Sequence, residues 1–484
     1  MAKITSLGDD ALIALDNLAG SATGLFNPTL RFGVTGLSRA GKTVFITSLI
    51  HNLLHGGRLP LFSAYSDGRL AKASLEHQPD DGVPRFRYED HVKALLEDRV
   101  WPQSTSAISQ IRIKLEYESA SGFSRRFGPG TLTLDIVDYP GEWLLDLPLL
   151  GKSYDQWSRE AVALSRLKNR SSLAAPWHEA LAEIDTEAEA DEMQARALAE
   201  TFTAYLRACR EDSTALSTLP PGRFLMPGDM EGSPALTFSP LDLPDDAKAQ
   251  IGTLHAIMER RYEAYKRLIV KPFFRDHFAR IDRQIVLVDA LQALNAGGAA
   301  VADLETALSD ILTCFNHGSS NWFTSLFTTR TDRILFAATK ADHLHHENHD
   351  RLEAILERMV ERAVERARFS GAKTDVVAMA AIRATREALM GEGDERLPVI
   401  VGTPLAGETL GGETFDGKSK TAIFPGDLPA DPDAATRKDV NGGDLRFVRF
   451  APPDLDKTAE GFTLSLPHIR LDRALEFLLG DQLA

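Results

Sequence analysis

The chain has 484 residues, of which 43% are hydrophobic and 25% charged, as is ordinary for a soluble globular protein. This length suffices for two or three domains, or for one elaborated domain. The 69 acidic and 54 basic residues give a formal net charge of −15, which argues against nucleic acid as a partner because binding phosphates generally needs a basic surface.

Cysteine content and the start of the chain indicate a reducing compartment. Cys209 and Cys314 are the two cysteines, and neither has a Cys or His at metal spacing, so a secreted disulfide framework is implausible. Asp9 and Asp10 stand where a signal peptide would carry an apolar run. The longest apolar stretch, 284–301, is too short and too polar to span a bilayer. We expect a cytoplasmic protein, and a peripheral association with the inner membrane stays open.

The first elements of the chain have the order that a phosphate site requires. After an N-terminal segment, 1–29, residues 30–35 predict a strand and residues 42–54 predict an apolar helix. Between them, residues 36–43 read Gly-Leu-Ser-Arg-Ala-Gly-Lys-Thr, a complete phosphate-binding loop. The sequence therefore predicts a nucleoside phosphate as ligand.

The residues of this loop have distinct expected roles. Gly36 and Gly41 permit the tight turn, Lys42 contacts the β- and γ-phosphates, and Thr43 ligates Mg²⁺. Backbone amides between the glycines point inward, and the helix offers its positive N-terminus. The expected phosphate contacts are Gly36, Ser38, Arg39, Ala40, Gly41, Lys42, Thr43 and Val44.

Two further strands, 108–117 and 131–137, are separated by glycines and predict an antiparallel pair. The hydroxyl that completes the Mg²⁺ shell in GTPases should precede the first of them. Thr105 is our choice for this role, with Ser104 and Ser106 as alternatives.

An acid at the end of a neighbouring strand should also hold Mg²⁺, often through water. Asp138 lies at the end of the strand 131–137, where ligands of α/β sheets collect, whereas Asp135 lies in mid-strand. Asp138 also begins an Asp-x-x-Gly pattern, and the amide of its glycine, Gly141, would sense the γ-phosphate. We therefore predict Asp138 as the metal-associated acid.

Glu142 stands where many GTPases place the Gln or His that positions the attacking water. Its carboxylate could accept a proton from water, but it would also repel the γ-phosphate. A catalytic role of Glu142 is thus one hypothesis. Arg39, or an arginine further along the chain, could supply the cation that stabilises the transition state, and the sequence does not choose between them.

Helical periodicity dominates from Trp143 to Asp282, where two helical stretches, 179–210 and 246–280, flank a loop rich in Pro and Gly at 219–244. This change of character predicts an insertion. We expect five segments: an N-terminal segment 1–29, a GTPase core in two parts at 30–142 and 283–390, a helical insertion 143–282, and a C-terminal extension 391–484 with short strands and a closing helix.

Three short apolar runs follow the insertion, at 284–288, 334–338 and 376–380, each ahead of a helical pattern, and they predict buried strands of a parallel sheet. Later strand candidates are 399–401, 422–424 and 445–450, and 469–479 predicts the closing helix. The expected fold is α/β, a GTPase-like P-loop NTPase with a mostly parallel sheet, a large mainly helical insertion and a mixed, β-containing C-terminal extension.

The most discriminating motif is Thr339-Lys340-Ala341-Asp342, directly after the strand at 334–338. It matches the guanine-specificity motif of GTPases, [Asn/Thr]-Lys-x-Asp, in which the carboxylate accepts two hydrogen bonds from guanine that adenine cannot donate. A helix N-cap acid is the alternative. By order and spacing, the loop Ala381-Ile382-Arg383 would then contact the guanine through its backbone.

Four histidines, at 343, 345, 346 and 349, crowd the stretch after Asp342. Positions 345 and 349 have the spacing of a metal pair on one helical face. Because the whole stretch is polar, a solvated helix face is the favoured interpretation.

With these motifs in place, the chain resembles the YcjX-like family of bacterial P-loop proteins, which are stress-associated. The resemblance rests on residues 36–45, Trp101-Pro102, residues 138–143, Val288-Asp289 and residues 339–342. It implies a GTPase core with a large helical insertion between the third and the fourth strand. It also implies an association with a small inner-membrane protein and with envelope-stress genes.

The main hypothesis is a GTPase that binds GTP and Mg²⁺, hydrolyses GTP to GDP slowly when alone, and acts as a regulatory switch. Lys42 would neutralise phosphate charge, Thr43, Thr105 and Asp138 would hold Mg²⁺, and Gly141 would sense the γ-phosphate. An ATPase, or a non-hydrolysing nucleotide-dependent scaffold that works with a membrane protein, is the alternative; a nucleotide kinase would need a basic lid, for which there is no clear pattern. Whether the chain forms a homodimer stays open.

Overall fold

The structure, a computed structural model, describes the chain from residue 28 to residue 484 with short gaps. The gaps are residues 38, 79, 104, 106, 122–127, 213–214, 216–217, 314–330, 370, 392–395, 436, 438–444 and 456–464. Ser38, Ser104, Ser106, Cys314 and nearly all of the N-terminal segment therefore lie outside the described residues.

A seven-stranded sheet in the order β2-β3-β4-β1-β5-β6-β7 forms the centre of the molecule. Its strands are β1 Thr29–Gly36, β2 Leu70–Glu76, β3 Ser109–Tyr117, β4 Gly130–Asp138, β5 Arg283–Val288, β6 Arg333–Ala338 and β7 Lys373–Ala378. β4, β1, β5, β6 and β7 run parallel, whereas β3 pairs antiparallel with β4 and β2 antiparallel with β3. The mostly parallel α/β fold that the sequence predicts is therefore confirmed.

Helices surround this sheet and make up most of the stretch between β4 and β5. Ahead of β4 they are α1 Lys42–Leu54, α2 Ser63–Ser66 and α3 Tyr88–Leu96. Between β4 and β5 they are α4 Tyr154–Ser165, α5 Ser171–Ala182, α6 Glu192–Glu211, α7 Leu254–Tyr265 and α8 Lys271–Asp276. Beyond β5 they are α9 Ala290–Ala296, α10 Gly298–Thr313, α11 His349–Phe369, α12 Pro432–Ala435 and α13 Leu471–Leu479.

Shorter elements complete the chain. A π-helical turn, Lys266–Val270, joins α7 to α8, and 3₁₀ segments cover Gly141–Gly151, Gly222–Phe224, Gly228–Met230, Pro234–Leu236, Phe278–Arg280, Ala341–His343, His346–Asn348 and Gly480–Gln482. The C-terminal part adds β8 Arg386–Met390, β9 Leu397–Gly402 and β12 Thr421–Ile423 in one small antiparallel sheet, with β10 Thr409–Leu410 and β11 Glu413–Thr414 in another.

The central strands bury both faces, as parallel strands covered by helices do. All six residues of β5 are buried. Val286 and Val288 belong to the apolar cluster shared with the helices between β4 and β5, while Ile285 and Leu287 belong to the cluster shared with α1 and α13. Because side chains alternate along a strand, one apolar run supplies two cores.

The structure differs from the sequence-based expectation in four elements. The helical stretch 179–210 is interrupted at 183–191, where Asp191 caps the second helix through the amide of Met193. The helix expected directly after β7 is absent from the described residues 379–385, and the chain leads instead to β8. Residues 445–449 form no strand and Phe450 only an isolated bridge with Pro404, and the edge strand β2 was not predicted. The sequences of these segments have weak helix or strand periodicity, so their secondary structure depends on contacts with distant parts of the chain.

Within the described parts of the chain, every helix falls short of the length and apolarity that crossing a membrane demands.

Candidate functional site

The phosphate loop lies at the carboxyl end of β1. In the sheet, β1 has β4 on one side and β5 on the other, so the strand order changes direction at this point, and α/β proteins bind ligands at such points. Gly41 has φ 86°, a left-handed conformation that favours glycine, and it is the N-cap of α1. Because glycine supplies no side-chain cap, the first amides of the 13-residue helix remain for an anion.

Lys42 is buried at the base of this loop, and its ammonium donates to the carbonyls of Gly36 (2.9 Å) and Leu37 (3.3 Å). Burial lowers the pKa of the Lys42 ammonium, and the carboxylates of Asp138 and Glu142 oppose that effect. The loop thus holds a positive charge beside its own backbone carbonyls.

The three predicted magnesium ligands come together from three separate elements. The hydroxyl oxygens of Thr43 and Thr105 lie 3.2 Å apart, and Thr105 donates a short hydrogen bond to Oδ2 of Asp138. Thr43 belongs to α1, Thr105 precedes β3, and Asp138 is the last residue of β4. The alternative acid, Asp135, instead accepts hydrogen bonds of 2.5 and 2.7 Å from Arg112 in mid-sheet.

One carboxylate oxygen of Asp138 is in a position to bind a cation. It is 1% exposed, and its Oδ1 has no hydrogen-bond partner within the described part of the chain. Burial raises the pKa of the Asp138 carboxyl to about 6, against opposing effects of Thr105 and Lys42. Two hydroxyls and a carboxylate are hard oxygen ligands of the kind that Mg²⁺ prefers, so these residues fit the ion.

The segment after β4 packs directly on the phosphate loop. A Cβ at Gly141 would lie 2.1 Å from the carbonyl oxygen of Gly36, so this close approach requires glycine. Glu142, the next residue, is 4% exposed and forms an ion pair of 3.2 Å with Arg210 of α6. The carboxylate that could repel a γ-phosphate is therefore paired with a cation from the predicted insertion.

Aromatic contacts fix the same segment to the predicted insertion. The indole of Trp143 donates to the carbonyl of Met226 (3.0 Å), and the guanidinium of Arg223 lies 3.2 Å from the centre of its ring. Phe273 packs edge-on against both Tyr139 and Trp143, at 5.4 and 5.5 Å between ring centres. The Asp-x-x-Gly segment is thus connected to α8 and to the loop before α7.

The guanine-specificity motif follows β6. Lys340 adopts a left-handed backbone conformation (φ 61°), and its ammonium makes a short ion pair with Asp289, the residue after β5. Asp342 is buried, and its Oδ2 accepts a hydrogen bond of 2.8 Å from the amide of Ala384. The amide of Ala341 donates to the carbonyl of Met379 (3.1 Å), so the loops after β6 and β7 hold each other in place.

The predicted base-supporting loop after β7 is only partly directed at the site. Ala381 and Ile382 line the cavity described below, and the carbonyl of Ala381 accepts a hydrogen bond of 2.6 Å from Ser48. Arg383 does not line it, because its amide donates to Pro467 and its guanidinium to Thr385 and Glu387.

A single cavity of about 370 Å³ joins the phosphate loop to the guanine motif, which is within the size range of ligand sites. Its lining includes most of the predicted site residues: Arg39, Ala40, Gly41, Lys42, Thr43, Val44, Thr105, Gly141, Glu142, Thr339, Lys340, Asp342, Ala381 and Ile382. Gly36 instead contributes its carbonyl to Lys42, and Asp138 lies beneath Thr105.

The cavity wall contains residues that the sequence did not single out. Leu405, Arg449 and Phe450 of the C-terminal extension line it. His343, one of the four histidines noted in the sequence, also lines it, although its pattern did not connect it to the nucleotide. The indole of Trp101 donates to the carbonyl of Phe450 (2.6 Å), which joins the segment before β3 to that extension. Leu405, Arg449 and Phe450 are about 360 to 410 positions from the phosphate loop and carry no motif, so no local signal could have found them.

The favoured interpretation of the histidine stretch as a solvated helix face is wrong, because His345 and His349 are buried. The alternative, a metal pair of these two residues, does not form either. Nε2 of His349 lies 2.8 Å from the carbonyl of Ala341 and donates to it, which occupies that nitrogen. The reason is that residues 346–348 form a 3₁₀ turn, so positions 345 and 349 do not share one α-helical face.

Comparison with known proteins gives one consistent result. A model described as "YcjX-like family, DUF463" matches residues 30–483. The protein named "Ras-like GTPase YcjX" of Escherichia coli is 39% identical over 467 residues, which cover 94% of this chain and 96% of that protein. The protein of the same name from Shewanella oneidensis is 35% identical over 476 residues, with 94% of each chain covered.

Proposed function

Since the chain belongs to the YcjX-like family, we propose that it is a GTPase that hydrolyses GTP to GDP and phosphate with Mg²⁺. The observation that carries the proposal is the single cavity connecting the phosphate loop, the Thr43–Thr105–Asp138 cluster and the carboxylate of Asp342. The names of both relatives agree with it.

In the proposed reaction, water attacks the γ-phosphate in line with the leaving oxygen, and neutralisation of phosphate charge supplies most of the catalysis. Lys42 gives up its bonds to the carbonyls of Gly36 and Leu37 and donates to phosphate oxygens instead. Thr43, Thr105 and Asp138 would hold Mg²⁺, which when bound neutralises charge between the β- and γ-phosphates. Glu142, held by Arg210, is close enough to the loop to orient the attacking water.

Recognition of guanine is assigned to Asp342. The hydrogen bond from Ala384 fixes its carboxylate, and within the described residues Oδ1 accepts no hydrogen bond. A fixed carboxylate can accept from the ring N–H and the exocyclic amine of guanine, whereas adenine would leave it unpaired. Lys340 would lie along the base with its aliphatic stem, because Asp289 holds its ammonium.

Binding assays with Asp342→Asn test the nucleotide specificity. We expect the affinity for GDP and GTP to fall at least tenfold and the affinity for ATP to stay weak, since a hydrogen bond to a charged group contributes about 1.5–3 kcal/mol. Asp245→Asn, at an exposed aspartate between β4 and β5, is the matched control and should change neither affinity. If ATP binds more tightly than GTP and Asp342→Asn leaves both unchanged, the ATPase alternative is right.

A measurement of phosphate release from GTP distinguishes an enzyme from a non-hydrolysing scaffold. We expect slow turnover of GTP that Lys42→Ala abolishes. A rate no higher than that of Lys42→Ala would instead identify a nucleotide-dependent scaffold.

The regulatory role is a further part of the proposal. We propose a switch whose Thr105 segment and 141–151 segment change with the γ-phosphate, and hydrogen exchange in the GDP and GTP-analogue states should differ in both. A role in a stress or envelope response and a small inner-membrane partner remain proposals supported by the family resemblance alone. A cytoplasmic or peripheral location and a homodimer remain proposals as well.

A further inference from the structure

Three potential metal ligands lie together in the turn that leads into α11, outside the nucleotide cavity. One ligand atom each of His345, His346 and Glu347 lies within 4.8 Å of the other two. We call these residues the histidine turn. None of them lines the nucleotide cavity, so the cluster is separate from the proposed GTPase site.

His345 is the member that needs a partner. Only 5% of the residue is exposed, and its Nδ1 is buried without a hydrogen-bond partner among the described residues. Oε2 of Glu347 lies 3.8 Å from this nitrogen, which is beyond hydrogen-bond range. Leaving a buried nitrogen unpaired is costly, and a cation bound between Nδ1 and the Glu347 carboxylate would remove that cost.

Glu387 of β8 orients the exposed member of the turn. Its Oε2 lies 2.6 Å from Nδ1 of His346 and 3.8 Å from Nε2 of His345, and Arg383 holds its other oxygen at 3.2 Å. When Nδ1 of His346 donates to Glu387, Nε2 keeps its lone pair for a ligand. A carboxylate behind a metal-binding imidazole is the usual arrangement in metal sites, where it fixes the tautomer and the ring orientation.

We propose that the histidine turn binds a divalent transition metal of the zinc class through His345, His346 and Glu347, with water in the remaining position. Two imidazoles and one carboxylate suit Zn²⁺, Co²⁺ or Ni²⁺, whereas Mg²⁺ and Ca²⁺ prefer oxygen ligands alone. Bonds to zinc of about 2.0–2.2 Å place ligand atoms roughly 3.4 Å apart. The side chain of Glu347 is 65% exposed, so its carboxylate is free to rotate toward the two imidazoles by that amount.

Bound metal would join two parts of the fold. The turn begins three residues after Asp342, and Glu387 belongs to the small C-terminal sheet. A metal at this position therefore ties the start of α11 to β8, beside the loop proposed to recognise guanine.

Metal titration of the full chain, without a polyhistidine tag, tests the proposal. Co²⁺ absorption and competition for Zn²⁺ with a chromophoric chelator are measured in millimolar Mg²⁺, which saturates the nucleotide site. We expect one equivalent of Zn²⁺ or Co²⁺ per chain. His346→Ala and Glu347→Gln should each raise the dissociation constant for the metal at least tenfold. Removing even a residue that only hydrogen-bonds to a metal ligand typically lowers metal affinity 10- to 100-fold.

Both variants change exposed side chains, so folding is not at risk, and unaltered GDP affinity verifies this. His77→Ala, an exposed histidine elsewhere, is the matched control and should bind like the unmodified chain. The absence of stoichiometric binding in Mg²⁺, or equal affinity in all four proteins, overturns the proposal. Neither result would bear on the GTPase proposal, which is tested at Asp342 and Lys42.

Discussion

Glu142 and Arg210 form an ion pair that we expect to affect the relative affinities for GTP and GDP. Both groups lie at the phosphate loop, and the arginine comes from α6, about 70 residues further along the chain. Two unit charges some 6 Å apart interact by roughly 3 kcal/mol at an effective dielectric constant of about 20. An unpaired Glu142 would therefore repel a γ-phosphate strongly, and the arginine removes that repulsion.

Arg210→Ala should lower the affinity for a non-hydrolysable GTP analogue about tenfold and change the affinity for GDP less than about threefold, because GDP has no γ-phosphate to repel. Arg210→Lys should restore most of the difference. Fluorescence titration with both nucleotides measures it, and Arg207→Ala, exposed on the same helix, serves as the control. An equal loss for GDP and GTP would contradict this role.

The buried carboxyl of Asp146 leads us to expect that the stability of the protein depends on pH. Its carboxylate accepts from the amide of Gly222 (2.7 Å) and the hydroxyl of Tyr265 (2.6 Å), and burial raises its pKa to about 6. The ordinary value in an unfolded chain is about 3.9. A raised carboxyl pKa means that the folded state favours the proton, so the contribution to stability is fully present below about pH 4 and is lost as the pH rises through about 6.

Asp146→Asn keeps the shape of the side chain but removes the titration. Relative to the unmodified protein, the free energy of unfolding of the variant should therefore increase between pH 5 and pH 7.5, by roughly 1 kcal/mol, because only the unmodified protein loses stability over this range. Urea unfolding at both pH values measures the difference. A difference between the two proteins that does not change with pH would show that Asp146 has an ordinary pKa.

At the scale of elements, the C-terminal extension closes one side of the nucleotide cavity. The bond from Trp101 to the carbonyl of Phe450 joins it to the segment that carries Thr105, and the buried ring of Phe450 packs edge-on against His343 at 5.4 Å. We expect this hydrogen bond to slow the opening of that side of the cavity.

Trp101→Phe keeps an aromatic ring but removes the N–H donor. We expect fluorescently labelled GDP to dissociate about fivefold faster, since a hydrogen bond contributes about 1 kcal/mol. Trp177→Phe removes a comparable bond to Ser239 far from the cavity and should leave the rate unchanged. Equal rates for the two variants would exclude this contact as a gate.

The elements that the sequence predicts correctly are those with strong local patterns. The strand–loop–helix at 29–54 and the strands β3 to β7 follow from apolar runs and glycines, within one to three residues at their ends. The motifs also place Thr43, Thr105 and Asp138 together, because the ends of the parallel strands β1 and β4 and the start of the antiparallel strand β3 lie at one edge of the sheet. Leu405, Phe450 and Arg210 could not be predicted, since their roles depend on contacts across the fold.

At the scale of the molecule, one apolar cluster runs without interruption from the sheet into the helices between β4 and β5. It contains Val137 of β4, Phe336 of β6 and Leu352 of α11 together with Phe202 of α6 and Tyr262 of α7. The sequence predicts residues 143–282 as an insertion, but the described residues share their core with the sheet. Parts that share a core lose stability together.

We therefore expect a single unfolding transition in urea. Far-UV circular dichroism reports on helices and strands throughout, while Trp143, Trp157 and Trp177 make fluorescence report mainly on residues 143–282. The two curves should coincide. Two separate midpoints would show that residues 143–282 unfold on their own.

The shared core also constrains how this protein can evolve. A deletion that joined β4 to β5 by a short turn would expose one apolar face of the sheet to water and leave Glu142 without Arg210. Residues 143–282 therefore cannot be removed in one step while the sheet keeps its fold.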